Sequence, residues 1–208
     1  MNALSLGHSH EGRPLLAYAF GQGPTWALVH GGIHGDEPGA VAAAERFCRR
    51  LGTEGPRIII VPAVNPDGLA ANQKDNARGV DLNRNFPASS WCADHPTGYY
   101  PGSAPLSEPE SRALATLIEN EKPAHLIALH QPFRCINFDG PAQKLAQAMA
   151  EATGWPVVAN LGYPTPGSFG SYYGIDHNLP VITLELPRPA GEEDFAATLR
   201  ALALICAR

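Results

Sequence analysis

The 208 residues include 15 basic and 20 acidic side chains, a formal charge of −5, and no basic run, so nucleic acid or an anionic membrane surface has no electrostatic footprint to bind. With 44% of residues hydrophobic the chain can build one sizeable core but is too short for two ordinary ones, so residues 1–208 are expected to form a single domain. No apolar stretch approaches the roughly 18 residues of a membrane span, and Met1 to Gly7 lacks a basic start and a long apolar segment, which predicts a cytoplasmic protein.

Along the chain, short apolar runs alternate with helical spacing. Leu15 to Phe20 and Trp26 to His30 read as strands, Ala40 to Leu51 as a helix ended by Gly52, and Arg57 to Pro62 as a third strand. Asn65 to Leu106 is rich in Pro, Gly, Asn and Asp and shows little periodicity; a connection of that length inside a compact domain is usually functional. Ser107-Glu108-Pro109-Glu110 has capping-box spacing and opens a helix over Ser111 to Asn120. His125 to His130 is a strand, Ala142 to Thr153 a helix closed by Gly154, and Val157 to Asn160 a short strand. A second long loop runs from Gly162 to Leu179, followed by a strand over Val181 to Leu186 and a helix over Glu192 to Ala207. This alternation predicts a three-layer α/β/α sandwich on a mixed, largely parallel sheet.

Ligands of open α/β sheets bind beyond the carboxyl ends of the strands. Three groups fall there: His34 with Glu37 after one strand, His130 at the end of another, and Glu185 near the end of a third. Two imidazoles and a carboxylate make a three-ligand set suited to one zinc ion, with a fourth position left for water or substrate. Glu185 would then stand free beside the ion. A carboxylate in an apolar strand is costly without a partner or a function; the competing explanations are an ion pair with Arg188 or a solvent-facing strand end.

Other candidates weigh less. Cys48, Cys92, Cys135 and Cys206 form no Cys-x-x-Cys pair and are expected as free thiols, with Cys135 favoured as a small buried residue over a nucleophile. His30 could pair with His34, although Gly31-Gly32 between them argues against a helix that would align the two. His8, His10, His95, His125 and His177 read as surface or hydrogen-bonded histidines. Asp36 is expected to shape its turn and cap the next helix. Tyr99-Tyr100 and Tyr172-Tyr173 could line a pocket or pack over the sheet.

Taken together, His34-x-x-Glu37, Asp81-Leu82-Asn83-Arg84-Asn85-Phe86, His130 and the Glu185 strand, in that order, resemble the zinc carboxypeptidase family, and Gly7 to Pro14 is similar to its opening segment. Pro105 to Glu110 and Gly162 to Ser171 resemble the branch of bacterial murein peptide amidases, which cut the bond between γ-D-glutamate and meso-diaminopimelate in recycled wall peptides. The resemblance implies one Zn2+ held by His34, Glu37 and His130, with Asp81 supporting a zinc histidine and Glu185 as general base. It further implies that Asn83 and Arg84 grip a carboxylate of a small peptide substrate, a task suited to the guanidinium fork, and that Tyr163 covers the bound substrate.

The pattern departs at two places. Where relatives offer an arginine for the developing oxyanion, this chain has Lys74, with Arg78 closer to the Asp81 motif as a substitute. After the third ligand, where the murein enzymes tend to carry aspartate, stands Gln131, which bears on recognition of the substrate's charged side chain. The leading expectation is a zinc peptidase acting on murein peptides. An N-acyl amino acid deacylase of the aspartoacylase type is the alternative, and a non-catalytic zinc-bearing binding module is the third, disfavoured by an intact Glu185.

Overall fold

Runs such as Ile58-Ile59-Ile60-Val61 and Leu126-Ile127-Ala128-Leu129 are apolar at every position, as strands covered on both faces must be. A computed structural model, which describes residues 2–206, places them in the middle of one sheet. In chain order the elements are β1 (Asn2–His8), β2 (Pro14–Phe20), β3 (Gln22–His30), α1 (Pro38–Cys48), β4 (Pro56–Val61), α2 (Pro66–Ala71), α3 (Pro109–Glu121), β5 (His125–His130), β6 (Cys135–Asp139), α4 (Gln143–Thr153), β7 (Val157–Val158), β8 (Val181–Glu185) and α5 (Glu192–Ala203). The spatial order is β1-β2-β4-β3-β5-β8-β6-β7. Strands β4, β3, β5 and β8 run parallel at the centre, while β2 joins β4, β1 joins β2 and β6 joins β8 antiparallel.

Period-2 alternation divides the centre between two cores. Ala27, Val29, Ile58, Ile60, Ile127, Leu129, Ile182 and Leu184 pack with Phe47 of α1, Met149 of α4 and Leu199 of α5. Leu28, Ile59, Val61, Leu126 and Val181 face the other way, onto Leu114 and Ile118 of α3 and onto Leu82, Phe86, Phe169 and Tyr173 from the two long connections. The mixed sheet between helical layers is the expected α/β sandwich. Each such side chain taken fully out of water contributes roughly 1.5–3 kcal/mol.

The register aligns the functional ends. On parallel neighbours His130 stands opposite Glu185, and on the antiparallel side Glu185 stands opposite Cys135. Strand β6 then runs back along β8, so that Asn137 faces Thr183 and Asp139 faces Val181.

Several local expectations differ from the structure. Strands β1 and β6 carry too little apolar alternation to announce themselves; β1 is an edge strand with only Leu4 and Leu6 partly packed on the core. The first long loop contains α2 and a 3-10 turn at Leu82–Arg84, and the second contains a π-helical segment at Gly170–Asp176. The capping box before α3 does not form: Glu108 is the N-cap without a side-chain bond, because its buried carboxylate accepts from Ser107 Oγ and Asn76 Nδ2 instead. The last helix ends at Ala203 and continues as a 3-10 turn over Leu204–Cys206, while Ala207 lies outside the described residues.

Candidate active site

Chain leaving β3 turns through Gly31-Gly32 and delivers His34 and Glu37 to the carboxyl edge of the sheet, with Glu37 at the N-cap of α1. There His34 Nδ1 lies 2.9 Å from Glu37 Oε1, and His130 Nδ1 lies 3.0 Å from Glu37 Oε2. One ligand atom from each residue falls within 4.8 Å of the others, the metal-capable cluster found among the described residues. On its far side His34 Nε2 is 3.3 Å from Oδ1 of the wholly buried Asp81, which orients the ring.

The electrostatics of this cluster fit a cation. Burial pushes the His34 imidazole down, yet Glu37 and Asp81 outweigh it and hold the group up at about 10. Conversely, burial pushes Glu37 up, and His130 and His34 pull it down to about 2. Asp81 also sits well below the usual carboxylate range because His34, Arg84 and Lys74 overcome its burial. A positive charge is therefore stabilised between these carboxylates, and the nitrogen, nitrogen and oxygen donors suit zinc, to which both histidines would bind as neutral rings.

Glu185 is 3% exposed; the nearby Phe133 backbone favours its charged form, and Oε2 has no hydrogen-bond partner among the described residues. Burial, opposed by His130 and assisted by Glu37, raises its pKa. The competing ion pair is absent, because Arg188 turns to Asp36, with Nη1 3.4 Å from Oδ2 and Nη2 donating to the Asp36 carbonyl. Asp36 is thereby not the cap of α1, whose N-cap Glu37 makes no side-chain capping bond.

A cavity of about 200 Å³ opens beside Glu185 and is also lined by His34, Glu37, His130, Lys74, Asn83, Arg84, Gln131 and Tyr163. Arg84 is buried at 4% exposure, donates 2.7 Å to the Asn83 carbonyl, and lies 5.2 Å from the Tyr99 ring centre. The Asn83 side-chain oxygen accepts from Phe169 N–H at 3.0 Å, which leaves its amide nitrogen for a ligand. Tyr163 is 37% exposed at the rim, and burial followed by the Glu185 charge raises its phenol.

The two oxyanion candidates separate. Lys74 reaches the cavity, with its ammonium fixed by Asp81 Oδ2 at 2.5 Å and the Gly98 carbonyl at 2.7 Å, over the Tyr99 ring. Arg78 does not reach it: half exposed, it stands 4.0 Å from Glu108. Gln131 lines the cavity but commits its amide to the backbone, accepting from Gly39 N–H at 2.9 Å and donating to the Pro187 carbonyl at 2.6 Å.

Other candidates settle plainly. His30 is wholly buried against Phe169, with neither nitrogen bonded, and burial drives it down to about 3, so it packs as a neutral ring outside the ligand set. Burial pushes the Cys135 thiol up to about 11, which suits a packed residue and not a nucleophile. Tyr99 lines the cavity, whereas Tyr173 packs on Phe86 and Phe169. Sequence reasoning missed Asn137, Asp139 and Thr183 on the cavity floor and Arg188 at its wall. The alternation of Cys135, Asn137 and Asp139 was the one available signal for the first two, in a segment too short to read as a strand.

Comparison with known proteins defines the class. Residues 1–147, which include all three metal-capable residues, match the family model described as zinc carboxypeptidase. The chain belongs to that family and is a zinc metallopeptidase. Murein peptide amidase A of Escherichia coli strain K12 is 37% identical over 215 residues, covering 95% of this chain and 88% of that protein. The crystal structure of the murein-tripeptide amidase from Escherichia coli O157 matches with a TM-score of 0.87 at 33% identity, covering 100% of this chain and 93% of that one. Carboxypeptidase A from Helicoverpa armigera shares the fold, with a TM-score of 0.85 at 18% identity over 98% of this chain and 67% of that one.

Proposed function

We propose that the whole chain acts as one catalytic domain that hydrolyses the bond between γ-D-glutamate and meso-diaminopimelate in small murein peptides, in the cytoplasm, on wall fragments being recycled. The observation that carries this is the cavity, where a zinc-type donor set, an unpaired buried carboxylate and the Asn83–Arg84 pair meet. The likeness to two proteins named for murein peptides directs the choice of substrate.

Zinc held by His34, Glu37 and His130 would supply an acidified water, with a pKa of about 7, and polarisation of the scissile carbonyl. Asp81, through Nε2 of His34, keeps that ring in the tautomer that offers Nδ1. Glu185 takes the proton of the attacking water on its free Oε2 and passes it to the leaving amine, and its raised pKa favours that return. Arg84 and Asn83 hold the α-carboxylate of the departing residue. Lys74 places positive charge on the side where the carbonyl oxygen becomes anionic. Tyr163 closes over the rim, and Gln131 holds the loops that carry the ligands.

The test is mass-spectrometric cleavage of L-alanyl-γ-D-glutamyl-meso-diaminopimelate, an ordinary L-peptide and N-acetyl-aspartate by the zinc-loaded protein, with a chelated control. Metal-dependent release of diaminopimelate is the expected result. Cleavage of N-acetyl-aspartate alone would make the chain an acyl-amino-acid deacylase, and zinc binding with no product from any substrate would favour a binding module.

A further inference from the structure

Lysine and arginine side chains line the catalytic cavity at Lys74, Arg84 and Arg188, and the proposed mechanism employs the first two. Lys74 is fixed by Asp81 and the Gly98 carbonyl, and Arg84, with Asn83, takes the carboxylate of the departing residue. Arg188 has no such task. Its hydrogen bonds go to Asp36 alone: Nη2 donates to the backbone carbonyl, and Nη1 stands 3.4 Å from Oδ2. The rest of its five-donor fork has no partner among the described residues. The two side chains are 40% and 35% exposed. An ion pair so open to water contributes little to stability, so Arg188 can exchange the Asp36 carboxylate for a ligand's at small cost.

Position in the site says which part of a substrate passes Arg188. Two further cavities adjoin the catalytic one. The first, of about 280 Å³, shares Arg84, Tyr99 and Tyr163 with it; the second, a groove of about 610 Å³, shares Asp36, Gln131 and Arg188. These two neighbours have no lining residue in common, so the two arginines stand at different exits of the catalytic cavity. His34, Glu37, His130 and Glu185 line the catalytic cavity and neither neighbour. A substrate whose leaving residue is anchored on Arg84, with its scissile carbonyl at Glu185, therefore runs its acyl portion toward the other exit, past Arg188.

The acyl residue of a γ-linked glutamyl peptide differs there from that of an ordinary peptide by one charged group. Its side-chain carboxyl forms the scissile amide, which leaves its α-carboxylate free a few bonds from the reacting carbon. A guanidinium with unused donors grips such a carboxylate through two parallel hydrogen bonds.

We propose that Arg188 is the acyl-side specificity residue of this site, exchanging its contact with the Asp36 carboxylate for the free α-carboxylate of a γ-linked glutamyl residue, while the adjoining groove takes the rest of the acyl portion. The Asp36 carbonyl, bound to Nη2, keeps the guanidinium in place during that exchange. The assignment rests on the murein function for the γ-glutamyl linkage, and adds to it the residue that tells a γ-linked from an α-linked peptide.

The experiment compares zinc-loaded wild type, Arg188→Gln and Arg188→Lys on three peptides: L-alanyl-γ-D-glutamyl-meso-diaminopimelate, the same peptide with the glutamyl α-carboxylate as its amide, and L-alanyl-L-alanyl-meso-diaminopimelate. Zinc content and melting temperature are measured alongside. In wild type, kcat/KM should favour the carboxylate over the amide by about tenfold or more, the scale of one hydrogen-bonded charge pair. Arg188→Gln should bring that ratio close to one, and Arg188→Lys should restore part of it. A wild-type ratio near one overturns the role of Arg188. So does a ratio that Arg188→Gln leaves intact; joined to lost zinc or a lowered Tm, that result makes the residue a support for its loop. Both results leave the murein function standing, because the γ-linked peptides are still cleaved. Cleavage of the α-linked peptide alone, or of none, removes the murein function and the role of Arg188 with it.

Discussion

In the proposed mechanism Glu185 is the general base, and its position in the register suits it to that role. Apart from Thr183, strand β8 is apolar up to this residue, and the carboxylate emerges opposite His130, beside the metal-capable cluster without belonging to it. A base needs a free oxygen and a pKa that is not driven down, and Glu185 has both. Glu185→Gln should therefore retain zinc and lose roughly 10²–10⁴-fold in kcat. Joint loss of zinc and activity, read by metal analysis beside the assay, would make it a ligand or a support. Cys135, directly across from it, is the contrasting case: proximity to the site carries no reactivity when burial holds the thiol protonated.

At the scale of elements, the site depends on three strand ends keeping one spacing. The β3 exit supplies His34 and Glu37, β5 supplies His130, and β8 supplies Glu185. Gln131 spans all three: it follows His130 directly, its oxygen holds Gly39 N–H two residues past Glu37, and its nitrogen holds the Pro187 carbonyl two residues past Glu185. Gly39 fits this brace, since a Cβ there would collide with the Gln131 amide. Gln131→Leu should cost about 1–3 kcal/mol in urea unfolding of the metal-free protein and should weaken zinc in a competitive chelator titration. A rise in KM with both of those unmoved would show instead that Gln131 serves the substrate.

For the whole molecule, the consequence is that metal and fold are linked. Buried Glu37, Asp81 and His130, with half-buried His34, sit where chain segments far apart in sequence converge, so an ion bound to the folded protein alone stabilises all of them at once. At zinc a hundredfold above its dissociation constant the gain is about 2.7 kcal/mol, or roughly 5–11 °C in Tm at 2–4 °C per kcal/mol for a domain of this size. Dialysis against a chelator should lower Tm by that order and zinc should restore it; a Tm indifferent to both would place the ion elsewhere.

Much of this was legible in the chain order. Runs of β-branched residues with helical spacing between them announced the central strands and the sandwich, because burial on both faces leaves a strand no choice but to be apolar throughout. His34, Glu37, His130 and Glu185 could be picked out because polar residues at the ends of such strands are exceptional and few chemistries use them. Pairing was not legible in this way. Strands β1 and β6 owe their existence to neighbours that complete their hydrogen bonds, and five residues alternating polar and apolar do not distinguish strand from loop. Partner choice was equally hidden: Lys74 and Arg78 are both cations near Asp81 in sequence, and the path of the chain between Asn65 and Leu106 sends one into the cavity and the other to Glu108. Local pattern reports what a residue needs, and the folded chain alone reports what stands within hydrogen-bonding distance to meet that need.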